Sequence, residues 1–187
     1  MKNNSENKQK FSFFKAPVTN ITPYRDITLL DAYRVITGKY YKPQTKKLRF
    51  ISDKQENRHY KSTHFPYCTF SGIFTRRNED SLINHSNYIA LDFDHIENIE
   101  ILKRQLLKDP YFQTELLFVS PNGAGLKWLV SIDVNGKYSH ADWFQALYNY
   151  IHETYSIKID KSCRDIARAS FLCHDPDAFI HPKYLVR

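Results

Sequence analysis

In DITLLDAYRVITG (26–38), Ile27, Leu30, Tyr33 and Ile36 recur at helical spacing, and Gly38 stands where such a helix would end. From residue 65 the alternation becomes regular. YCTFSGIF (67–74) reads as a strand with an irregularity at Gly72, and SNYIALDFD (86–94) as a second strand. ENIEILKRQLLKDP sets Ile99, Leu102 and Leu106 on one helical face and stops at Pro110. TELLFVS (114–120) and LKWLVSI (126–132) read as strands joined by PNGAG. In SHADWFQALYNYIHETY, Ser139 and Asp142 form a capping-box pattern, with Phe144, Leu147, Tyr148 and Ile151 as the buried stripe. ARASFLC (167–173) is a last short strand. Strands and helices thus alternate, with neither internal repeats nor a low-complexity linker. This predicts one α+β domain, mainly antiparallel sheet with helices packed on it. Residues 1–10 read as a disordered tail, 11–62 as a basic N-terminal part of the domain, and 63–187 as its core.

Composition narrows the class. With 42% hydrophobic and 15% aromatic residues, the chain has the makeup of a globular protein. No run approaches the ~18 apolar residues of a membrane span, and the polar start MKNNSENKQK lacks a signal-peptide core. Cys68, Cys163 and Cys173 are odd in number without CxxC spacing, so neither a disulfide framework nor a zinc site is indicated. The expected location is the cytoplasm. Charge is unevenly divided: residues 1–62 carry 14 Lys and Arg against 5 Asp and Glu, and the remainder 13 against 15. A positive N-terminal third suits a polyanion, and equally a solvated basic face. Within it, Tyr40, Tyr41 and Phe50 interleave with Lys42, Lys46, Lys47 and Arg49, a mixture able to stack bases and neutralise phosphates. A loop followed by an ordinary strand gives the same pattern.

Three clusters carry candidate chemistry. Asp92 and Asp94 end the strand SNYIALDFD, separated by one residue. Alternation places both on one side and Leu91 and Phe93 on the other, toward the core. Two carboxylates about 7 Å apart repel unless a cation lies between them, and Mg²⁺ or Mn²⁺ is the hard, oxygen-preferring guest. A pair of solvated aspartates would look the same. SPNGAGLKW follows, where Ser120 offers a hydroxyl, Gly123 and Gly125 allow backbone N–H groups near an anion, and Lys127 supplies a point charge. An Asn-Gly hairpin with an incidental lysine is the structural alternative. In IDKSCRDIARASFLCHDP, Asp160 and Asp165 are candidates to complete the metal site, and Arg168 to bind phosphate with its fork of donors. Together these are the parts of a two-metal phosphoryl-transfer centre.

The ordered set LDFDH, SPNGAGLKW and DKSCRDIARASFLCHDPDAF, with the lead-in FPYCTFSGIFTRRN, resembles the VirE N-terminal domain family. That family is placed among the primase-polymerases of the archaeo-eukaryotic primase superfamily, and the likeness spans about residues 64–180. The resemblance implies a catalytic core related to the RNA-recognition-motif fold. It implies metals held by Asp92, Asp94 and either Asp160 or Asp165, and nucleotide phosphates contacted by Ser120, Gly123, Gly125, Lys127 and Arg168. It implies divalent-metal-dependent nucleotidyl transfer with nucleoside triphosphates on a single-stranded DNA or RNA template, in replication of DNA or of a mobile element, beside a helicase or other replication domain. Two departures stand out: Lys127 occupies the superfamily's histidine position, and FLCHDP replaces an Arg-Leu-Pro-Gly-Thr stretch.

Two other readings are open. A catalytically silent single-stranded nucleic-acid-binding module would keep the charge without metal dependence. A haloacid-dehalogenase-type phosphatase also uses DxD, but HIEN follows here where that class has Gly-Thr or Gly-Val. No His-x-His pair occurs, which disfavours a rolling-circle nuclease. His95 is a further candidate ligand or a capping residue, Asp175 a turn former before Pro176, and Trp128 and Trp143 core residues. Cys163 reads as a small buried hydrophobe.

Overall fold

A computed structural model of the chain describes residues 9–134 and 136–186. Its centre is a four-stranded antiparallel sheet of β6 (Tyr88–Phe93), β7 (Thr114–Val119), β8 (Leu126–Ser131) and β10 (Phe179–Ile180), ordered β10-β7-β8-β6. Period-two alternation divides β6 between two environments. Ile89, Leu91 and Phe93 pack with Trp128 and Val130 of β8 against α4 (Ile99–Leu107) and α5 (His140–Tyr155). Tyr88 faces the opposite side with Leu116, Phe118 and Leu129. There it meets a second sheet, β2-β1-β3-β9, formed by β1 (Lys10–Phe14), β2 (Arg25–Thr28), β3 (Tyr67–Thr69) and β9 (Ser170–Phe171), together with α1 (Leu29–Thr37). A hairpin of β4 (Gly72–Phe74) and β5 (Leu82–His85) completes the strands. The fold is α+β, as expected, with every described strand pair antiparallel. The order strand, helix, strand, strand, helix runs from β6 to α5, and β10 then joins the β7 edge.

β6, β7, β8, α4 and α5 form where the pattern sets them, whereas of the strand expected over 167–173 only Ser170–Phe171 is extended in a sheet. The capping box Ser139–Asp142 starts α5, which buries Phe144, Leu147 and Ile151 with Tyr148 packed beside them. In α4, Leu102 and Leu106 are buried. The region around Gly72 is two strands with a turn between, instead of one strand.

The N-terminal third differs more. The first helix begins at Leu29, because Thr28 and Asp31 form a reciprocal capping box while Ile27 belongs to β2. Residues 42–50 are a helix, α2 (Lys42–Phe50), where a loop and strand were the alternative; Pro43 is in its first turn and only Thr45 and Leu48 are buried. A further helix, α3 (Lys54–His64), is capped by Asp53 and buries none of its residues fully. Residues 1–8 of the expected tail lie outside the described residues, and β1 begins at Lys10. β1 pairs with β3, so residues on either side of position 62 share one sheet. The three cysteines are free and buried. Among the described residues no helix is long and apolar enough to cross a membrane.

Candidate functional site

β6 is an edge strand, and its last turn of pairing is set by a cross-strand partner. Asp92 stands opposite Lys127 of β8, so both side chains leave the same face of the sheet. Lys127 Nζ donates to Asp92 Oδ1 at 2.5 Å. Arg168 Nη2 donates to Asp92 Oδ2 at 2.8 Å and to Asp160 Oδ2 at 2.6 Å, joining two carboxylates through one guanidinium. The 3-10 turn Lys161–Arg164 brings Asp160 in, by docking on the β6 edge: Asp160 N donates to the carbonyl of Asp92 at 3.1 Å, and Asp92 N to the Cys163 thiol at 3.3 Å. The edge is thereby closed at the position that carries the site.

Electrostatics keep these groups ionised. Burial alone would raise the Asp92 carboxyl, but Lys127 and Arg168 outweigh it and hold the group below the ordinary aspartate range. Asp160 is lowered too, its burial offset by hydrogen bonds from Ser162 and by Arg168. Burial, reinforced by the Asp92 charge, pushes the Cys163 thiol up to about 12, so Cys163 is an inert packing residue.

The cluster lies on one wall of a cleft of about 370 Å³ whose lining includes Lys61, Arg77, Asp94, Ser120 and Asp165. Asp94, one residue beyond β6, is exposed, and the positive φ of His95 turns the chain immediately after it. Asp165 accepts from the N–H of Ala167 and is exposed. Of the two acids that the sequence left open, Asp160 is the one bound into the Asp92 cluster.

The rim is the PNGAG turn. Gly123 N donates to the carbonyl of Ser120 at 2.9 Å, and Ser120 N to that of Gly125 at 2.8 Å, so these groups close the turn on itself. Gly123 sits at φ +79 beneath the Arg49 side chain. A Cβ on Gly125 would lie 2.0 Å from the carbonyl oxygen of Phe93; the glycine lets the turn approach the end of β6, and Ile96 N to the carbonyl of Ala124 at 3.1 Å fastens the two loops. Ser120, Pro121 and Asn122 face the cleft. The segment FLCHDP supports the turn from behind. Asp175 accepts from Val119 N at 2.7 Å, and the Cys173 thiol donates to the carbonyl of Val119 at 3.2 Å. His174 N donates to the Thr45 hydroxyl at 2.9 Å, and Asp175 N to the carbonyl of Ile36 at 3.0 Å, tying the same segment to α2 and α1.

The residues 59–179 match a family model described as BT4734-like, N-terminal domain. The chain belongs to that family. No curated protein and no solved structure matches it.

The BT4734-like segment contains every acid, cation and rim residue of the cleft named above, while α2 precedes it. Lys42, Lys46 and Lys47 of α2 are exposed, Lys47 lying over the Tyr60 ring at 5.1 Å, and none of the three lines the cleft. Arg49 is spent on the turn, donating to the carbonyls of Pro121 and Ser120 at 3.3 and 3.4 Å. Two cleft residues of the BT4734-like segment were missed by motif reading. Lys61 comes from α3, with burial and the neighbouring Lys127 charge lowering its pKa against the pull of Asp94 and Asp92. Arg77 comes from the loop between β4 and β5, with its Nε lacking a partner among the described residues. The signal for Lys61 was present as Lys54, Arg58 and Lys61 in one helical row.

Proposed function

We propose that the cleft binds a nucleoside triphosphate together with a divalent cation, and that the domain performs nucleotidyl transfer on a nucleic-acid template, as a primase-polymerase does. The observation carrying this reading is the convergence of Lys61, Lys127 and Arg168 with Asp92, Asp94 and Asp160 in one cleft rimmed by Ser120. Cations alone would suit any anion, and carboxylates alone would repel one. Their mixture suits a polyphosphate that arrives with its own metal.

The donor set fits Mg²⁺ or Mn²⁺ on that condition. Among the described residues no three ligating side chains are grouped as a ready cage, and both oxygens of Asp92 accept from cations. Mg²⁺, however, is commonly held by one or two carboxylates plus substrate phosphates. Asp92 and Asp94 would hold it, with Asp160 beside them. When bound, such a cation neutralises phosphate charge and favours ionisation of an attacking 3′-hydroxyl. The chain's own contribution is to orient. Arg168 and Lys127 would meet phosphate oxygens, Lys61 adds a third cation to the same cleft, and the Ser120 hydroxyl would support the triphosphate from the rim.

The ion pairing of Asp92 favours a second reading, a binding module that needs no metal. The phosphatase alternative calls for a parallel sheet, whereas β6 pairs antiparallel with β8. Calorimetry with Mn²⁺ and a nucleoside triphosphate separates the first two. Metal-dependent binding by the wild type that is lost in Asp92→Asn/Asp94→Asn supports the transferase site. Triphosphate binding that is equal in chelator supports the module, and no triphosphate binding by folded wild type removes the reading.

A further inference from the structure

The cleft does not end at Asp94. It continues into a second compartment of about 350 Å³, which shares Lys61, Asp94, Ser120 and Asn122 with the first. Its character is different. The first compartment holds four carboxylates among its cations; the second holds Lys54, Arg58 and Lys61 of α3 with Asp94 as its single acid. Lys54, Arg58 and Lys61 lie four and three residues apart, so they form one row along α3, with Lys54 and Arg58 exposed and Lys61 half-buried. Successive cations advance by about one helical turn, roughly 6 and 4.5 Å along the axis. Such a row neutralises a chain of charges better than it does one compact anion.

Ser120, Asn122 and Ala124 at the PNGAG turn, together with Ile51 and Ser52 that follow α2, also line the second compartment. Phe50, immediately before Ile51, is 78% exposed, although it is the last residue of a helix whose Leu48 is fully buried. Phe50 does not itself line the compartment but joins directly to Ile51, which does. An aromatic ring left in solvent there is able to stack an unpaired base.

We infer that this second compartment is the path of a single-stranded nucleic acid, held through its phosphates by Lys54, Arg58 and Lys61 and through a base by Phe50. The strand runs along α3 and delivers its end to the carboxylate compartment. That last point rests on the function proposed above; strand binding itself does not. The path departs from the row expected from sequence: Lys42, Lys46 and Lys47 line neither compartment and, unlike Phe50, adjoin no residue that does.

The test is fluorescence anisotropy of a labelled single-stranded oligothymidylate, titrated with the full chain in chelator over a range of salt concentrations. The wild type binds with affinity falling steeply as salt rises. Lys54→Gln/Arg58→Gln weakens binding roughly tenfold and flattens the log–log salt slope by about 1.4, the loss of two single-strand phosphate contacts. Phe50→Ala weakens it about tenfold with the slope unchanged, since stacking releases no counterion. Lys42→Gln/Lys46→Gln binds as the wild type does. All three changes are at exposed positions, so the fold is retained and is checked by circular dichroism. The inference is overturned if the wild type fails to bind in chelator, if the α3 double variant keeps the wild-type slope, or if the α2 double variant loses as much. Loss of triphosphate binding with the α3 and Phe50 effects intact would instead remove the proposed nucleotide site and leave the strand path standing.

Discussion

The central sheet buries two carboxylates, and their partners differ in kind. Glu115 of β7 is 1% exposed and accepts from Lys183 at 2.7 Å, Tyr184 at 2.7 Å and Ser131 at 2.7 Å. One cation and two hydroxyls satisfy it, and Tyr88 adds a hydroxyl contact to Tyr184 at 2.8 Å. It fastens the C-terminal 3-10 turn Pro182–Tyr184 to the sheet. Asp92 of β6, 6% exposed, instead has two cations and, among the described residues, no hydroxyl, and it lines a cleft. A carboxylate kept for the fold is served by neutral donors that satisfy its lone pairs with little surplus charge. One paired with two cations beside open volume has partners whose charge a second anion can share.

Breaking the Asp92 side has the largest effect. Lys127→Met leaves a buried carboxylate with one of its two cations, and is expected to destabilise the protein by about 3 kcal/mol and abolish triphosphate binding. Urea denaturation and calorimetry measure the two losses, and adding Asp92→Asn should recover much of the stability but none of the binding. If Lys127→Met binds triphosphate normally, the two carboxylates are alike in purpose.

The matching change on the other side is smaller. Glu115→Gln keeps the shape but weakens the acceptor for Lys183, Ser131 and Tyr184, with an expected loss of about 1–2 kcal/mol. Triphosphate binding should be unchanged.

Acid titration gives the smallest difference. Burial raises both carboxyls, but Lys127 and Arg168 for Asp92, and Lys183, Ser131 and Tyr184 for Glu115, bring both below their ordinary values of 3.8 and 4.5. A carboxyl lowered by folding contributes stability that is complete above its unfolded pKa and disappears as pH falls through the folded one. Denaturant midpoints should therefore decline below about pH 4.5. Asp92→Asn should flatten the curve below about pH 4, and Glu115→Gln should flatten it from slightly higher pH.

Legibility in sequence followed apolar patterning. β6, β7 and β8 are apolar runs buried along nearly their whole length, α4 and α5 have buried helical stripes, and the capping box of α5 was readable from Ser139 and Asp142. α2 and α3 were not, since one buries only Thr45 and Leu48 and the other buries nothing fully; α2 starts with Pro43 in its first turn and α3 on the Asp53 cap, neither with an apolar face. At the site, Asp92, Asp94, Ser120, Lys127, Asp160, Asp165 and Arg168 were recognisable by residue type and order, and all line one cleft. What joined them was beyond sequence. Asp92 meets Lys127 through the β6–β8 register, and Asp160 meets Asp92 through a turn docked on a strand edge. Gly123 and Gly125 were read for anion contact, while their structural use is beneath Arg49 and against Phe93.

The segment Cys173–Asp175 has a consequence for the order of events during synthesis. It anchors the end of β7 through Val119 and reaches back to Ile36 and Thr45, over 120 residues earlier in the chain. A ribosome emitting this protein releases β6, β7 and β8 well before Arg168 and Asp175 emerge. During that interval Asp92 lacks the guanidinium, the Ser120 turn lacks its carboxylate prop, and the edge of β6 is uncovered. The nascent chain therefore has a vulnerable stage, longest when translation slows between residues 131 and 175, in which an open edge strand is available to other chains.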